Sequence, residues 1–165
     1  MNSTVKAGLI LGVAVEVWVY FMGFTGWYSH PVLMNLFWVV VLIQVGVLIW
    51  GLRLTREGKT YGQQVGAGVL ISLIGGAIVF LGSILFTAVV FPDYFSELRV
   101  AGEKMMREQG MAEADITAQL DAMATMQTTF MQALSGFIGT FATGAIASLV
   151  IAIFYKKKPE GQPAG

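Results

Sequence analysis

Long apolar stretches, broken by short polar ones, dominate the chain. Four of them reach the roughly 20 residues that a helix needs to cross a membrane. They cover roughly 6–24, 31–52, 64–91 and 130–155. The third is about 28 residues long, or about 42 Å at helical rise, against a hydrocarbon core of about 30 Å. It is expected to tilt or to project from the bilayer. Pro92 blocks helix continuation through Phe91. The first stretch occupies the place of a signal peptide, but it contains Glu16, ends in bulky aromatics and lacks a small-x-small cleavage site. It reads as a retained anchor. The pattern predicts an all-α integral membrane four-helix bundle, with residues 1–165 forming a single membrane domain.

The one sizeable polar insert, roughly 92–129, has helical composition. Phe95, Leu98, Met105 and Met106 form a rough apolar side in its first half, and Gly110 is the expected break between two helices. Ile116, Leu120 and Met123 then fall on one face of a second helix. Little in the sequence stops that helix from running directly into the fourth span. The insert reads as a helical hairpin on the mouth of the bundle, or as a docking surface built on adaptable methionines. The tail, roughly 159–165, is rich in Pro and Gly and reads as disordered.

Charge sets the expected orientation. Lys6, Arg53, Arg56, Lys59, Lys156, Lys157 and Lys158 fall on one side of a four-span layout. Arg99, Lys104 and Arg107 fall on the other, diluted by Asp93, Glu97, Glu103, Glu108, Glu113, Asp115 and Asp121. The positive-inside rule puts the first set, and both termini, in the cytoplasm and makes the insert extracytoplasmic. Trp18, Tyr20, Phe21, Phe24, Trp27 and Tyr28 gather near the outer end of the first hairpin, and Tyr61 and Tyr155 near inner ends, as interfacial belts do.

Composition narrows the function classes. Only 12% of the 165 residues are charged and 56% are hydrophobic, so lipid is the expected solvent. No basic face with interleaved aromatics points to nucleic acid. The absence of cysteine removes thiolate metal sites and cysteine nucleophiles. No phosphate-binding loop, nucleophile elbow or metal-binding helix motif appears, so no enzyme, cofactor or metal is expected.

The candidate residues are few. Glu16 lies inside the first span on a four-residue repeat with Gly8, Gly12 and Tyr20, a face suited to helix packing. It reads either as a proton- or cation-handling group or as a structural acid. Gln44, at matching depth in the second span, is expected to hydrogen-bond Glu16 or to act as interhelical glue. Gln63 and Gln64, with the nearby Arg53, Arg56 and Lys59, read as a headgroup or phosphate site or as an ordinary solvated loop. His30 reads as an interfacial residue or as a single metal or pigment ligand. Gly68, Ser72 and Gly76, and Gly136, Thr140, Gly144 and Ser148, repeat every four residues and predict close packing of the third and fourth spans, within one chain or between chains.

From Lys59 through Lys158 the chain resembles the bacterial four-span membrane family catalogued as domain-of-unknown-function 4199. The resemblance rests on KTYGQQVGAGVLISLIGG, on VVFPDYFSEL, and on EKMMREQGMAEADITAQLDAM followed by a glycine-rich span and a basic tail. It implies a bacterial inner-membrane protein with a helical insert before the last span, and it assigns no activity. Three functions are expected in turn. The first is a non-enzymatic structural or accessory subunit packed with itself or with other membrane subunits. The second is a small oligomeric transporter or channel using Glu16. The third is a lipid- or pigment-binding accessory protein.

Overall fold

The structure, a computed structural model, describes residues 2–156 and is all-helical over them. Lys157, Lys158 and the tail expected to be disordered lie outside the described residues. Four helical segments are long and apolar enough to cross a membrane: Ser3–Phe24, Leu33–Leu54, Tyr61–Val90 and Thr129–Tyr155. Six α-helices follow in order: α1 (Ser3–Phe24), α2 (Val39–Leu54), α3 (Tyr61–Leu85), α4 (Tyr94–Glu108), α5 (Glu113–Ala124) and α6 (Thr129–Tyr155).

Local chemistry sets the helix ends. Asn2 caps α1, its Oδ1 accepting from Thr4 N at 3.2 Å. The second span does not begin as an α-helix at Pro31. His30 Nδ1 accepts from Val32 and Leu33 N, a 3-10 segment (Leu33–Trp38) follows, and regular α geometry starts at Val39. Thr60 and Gln63 form a reciprocal capping box that starts α3 at Tyr61, before the expected Gln64. At its far end α3 widens into a π turn (Phe86–Val90), and Phe91 leaves the helix ahead of Pro92.

The expected run-through from α5 into the fourth span does not occur. Thr128 is extended, and its hydroxyl accepts from Met131 N at 3.2 Å, an N-cap that starts α6 afresh. Between α4 and α5, Gly110 takes a positive φ of 75°, which favours glycine. The two helices fold back on each other, with Arg99 pairing Asp121 at 3.0 Å and Arg107 pairing Glu113 at 2.9 Å. Ile116 and Leu120 are buried against α4, but Met123 is 45% exposed, because α5 ends one residue later.

The centre of the bundle is α3 packed antiparallel on α6. Ser72 Oγ donates to Gly68 O on its own helix at 2.8 Å, and Ser148 Oγ donates to Gly144 O at 2.6 Å. Each serine then presses on the other helix's glycine. A Cβ on Gly68 would lie 2.6 Å from Ser148 Cβ, and one on Gly144 would lie 2.6 Å from Ser72 Cβ. Farther along, Gly76 faces Phe137 and Gly136 faces Val79 and Ser83. Thr87 and Thr129 hydroxyls meet at 3.1 Å. On the opposite side of α3, Gly8 packs on Ile74 and Gly12 on Ile78 and the Gly75 carbonyl. The stripe on α1 therefore has α3 as its partner.

The packing and the α4–α5 turn each make a prediction. Gly144→Leu forces α6 off Ser72 and is expected to lower stability in detergent by about 1–3 kcal/mol. Gly46→Leu, on α2 with open space around it, is expected to be neutral; equal melting of the two variants would contradict the packing. The second concerns the α4–α5 turn. Arg107, by hydrogen bond and charge, holds the Glu113 carboxyl below its usual range. The stabilisation is present above the ordinary carboxylate range and is lost as pH falls through the lowered value. Acidification is expected to lower amide protection around 108–113, measured against the intrinsic exchange rate at each pH, and to leave Gly68 and Gly144 protected; an equal loss of protection at both places would contradict it.

Candidate functional site

Three buried glutamine or glutamate side chains stand in the spans, in three separate places. The first is a knot at the Lys6 end. Gln64 is fully buried. Its Nε2 donates to Leu52 O at 3.2 Å and to Tyr155 O at 2.9 Å, and its Oε1 accepts from Thr55 Oγ1 at 3.0 Å. One side chain thus ties the ends of α2 and α6 to the start of α3. Gln63 is engaged in the capping box. Gln64 is thus engaged within the fold, whereas Gln63 is exposed and the capping box does not use its Nε2. Arg53, Arg56, Lys6 and Lys156 are exposed at this end and Lys59 is half-buried.

The second place is Glu16. Gly82 of α3 leaves room for its carboxyl, and a Cβ there would collide with Glu16 Cδ. Tyr20 Oη, one turn along, donates to Gly82 O at 3.2 Å. Glu16 is 9% exposed, and neither carboxyl oxygen has a hydrogen-bond partner. The expected bond to Gln44 is absent. Glu16 points at α3, whereas Gln44, 4% exposed with an unpartnered Oε1, lines a cleft between α2 and α6.

That cleft is the third place. Its volume is about 500 Å³. Gln64 and Thr55 fasten α2 at the Lys6 end, where Leu52 and Leu48 approach Gly68 and Gly144. Toward the other end, Trp18 Nε1 donates to Leu36 O at 3.2 Å and holds the approach to α2 on α1. Between these two attachments the cleft lies between α2 and α6. Val15, Val79, Tyr94 and Gln132 are among the residues that line it.

An aromatic cluster closes the Tyr94 end. Phe86 contacts Tyr20, Phe91 and Tyr94, and Phe24 contacts Phe91. Part of the expected interfacial belt is thus tertiary packing. Tyr28 Oη donates to Glu97; desolvation first, and then that bond, push its phenol above the usual range. This joins the first hairpin to α4. Each basic residue of α4 is paired: Arg99 with Asp121, Lys104 with Glu108, and Arg107 with Glu103 and Glu113. His30 uses Nδ1 as a cap.

The profile of a family described as a protein of unknown function, DUF4199, matches residues 6–157. The chain belongs to this family. Neither the curated proteins nor the solved structures contain a match. In this DUF4199 member the match takes in all four spans, the α4–α5 insert and all three polar places.

Sequence reasoning overlooked the Gln64 knot, although Gln64 stands four residues before Gly68 on the same face. Gln64→Leu removes three hydrogen bonds and takes from Tyr155 O its side-chain donor, while Leu52 O keeps the Thr55 hydroxyl. It is expected to cost about 1–3 kcal/mol, read by denaturation in detergent beside the milder Gln63→Ala. Equal effects would contradict the knot.

Proposed function

We propose that this protein is a non-enzymatic membrane subunit, a rigid four-span body that works by packing with itself or with other membrane subunits. The seat of Glu16 carries the reading. A transport acid must exchange protons or cations with water on alternate sides of the membrane. Glu16 instead lies against Gly82, outside the cleft lining, and takes part in none of the ion pairs among the described residues. Its surroundings suit a structural acid that fills the space beside a glycine.

The same reading places the protein in a bacterial inner membrane with both termini cytoplasmic. Support comes from the basic residues. Lys6, Arg53, Arg56, Lys59 and Lys156 gather at one end of the bundle, whereas the cations of α4 are matched by acids.

Glu16→Gln keeps the shape of the side chain without its charge. It is expected to retain the melting temperature and the native mass after gentle extraction, and the parent protein is expected to show no pH-dependent flux in proteoliposomes. A flux in the parent that Glu16→Gln abolishes would overturn the reading in favour of transport.

A further inference from the structure

The α2–α6 cleft holds a buried polar atom with no partner. Gln44 Oε1 is an amide acceptor in a nearly dry site, and an unmet acceptor of this kind costs free energy that a donor would recover. Around it the walls are of two kinds. Valines of α1, α2 and α3 form the apolar side. The α6 side carries Gln132, Ser135, Thr140 and Thr143, with Gly139 between them. No charged side chain lines the space.

Size selects among occupants. One turn of helix, 10–12 Å across with a 5.4 Å pitch, fills about 400–600 Å³. The cleft, at about 500 Å³, has no room for a partner's membrane helix lying along it. It falls within the range of small-ligand sites, about 300–1,000 Å³. Gln132 to Thr143 spans about 16 Å at helical rise, so the site is long and narrow. Gly139 leaves its centre open, since a Cβ there would meet nothing within 4 Å.

We propose that this cleft is a binding site for an uncharged, hydroxyl-bearing lipid of single-chain girth, entering sideways from the bilayer. The chain lies on the valine side, and the ligand's hydroxyl bonds the Gln44 side-chain amide. The absence of a cation in the lining disfavours anionic headgroups, and the absence of an acid disfavours amines. The site stands independently of the subunit reading, since it uses neither Glu16 nor a protein partner.

The test uses the full chain in proteoliposomes with a long-chain alcohol that carries a diazirine. Photolabelling is expected to concentrate on the cleft walls of α2 and α6. A monoacylglycerol is expected to compete, and an alkane or an ionised fatty acid is not. Gln44→Leu is expected to weaken labelling about fivefold, the equivalent of one hydrogen bond of about 1 kcal/mol. Gly139→Trp fills the space and is expected to abolish labelling while the protein still melts as the parent does, which guards against a folding defect in the first variant. Even labelling around all four spans would overturn the proposal. So would labelling indifferent to both substitutions, or a second copy of the chain cross-linked through the cleft.

Discussion

Two serines and two glycines hold the centre of this molecule. On α3 and again on α6, a serine hydroxyl bonds the carbonyl of the glycine four residues before it. That leaves the hydroxyl satisfied without a partner helix, and each serine can then lie flat on the glycine of the other. In lipid there is no hydrophobic drive between helices, so close backbone approach and dispersion must supply the association. The arrangement provides both, and it is self-complementary across an antiparallel pair. The remainder of the bundle is placed relative to it: α1 lies on the other side of α3, and Leu48 and Leu52 bring α2 over one end.

The position of α2 shows how one constraint generates a site. Gln64 and Thr55 hold α2 at the Lys6 end, while Trp18 draws its approach toward α1 at the other. A straight helix fixed in this way cannot also cover α6 along its whole length. The gap that results exposes a second, more polar row of α6 to the interior of the bilayer. The packing of α3 on α6 supplies one wall of the cleft, and the tether on α1 lies beside it.

The sequence carried the four spans and the small-residue rows clearly, because hydropathy and a four-residue repeat are properties of single helices. It carried pairings poorly. Glu16 and Gln44 have matching depth, and depth alone suggested a bond. Rotation about the helix axes decides otherwise, sending Glu16 to Gly82 and Gln44 to the cleft. The break before α6 was missed because Thr128 follows no proline or glycine, and its capping role shows only in the bond from Met131. Gln64 stands at the start of the third span near charges, which suggests a solvated or headgroup-binding residue, although its register with Gly68 already places it on the buried face.

The central claim is that α3 and α6 pack on each other within one chain. The chain has no native cysteine, so a Thr87→Cys, Thr129→Cys double variant can report on it directly, at the point where the two hydroxyls meet at 3.1 Å. Oxidation in native membranes, followed by mass analysis, is expected to give an intrachain disulfide at monomer mass. Cross-links only between chains, or none, would contradict the account.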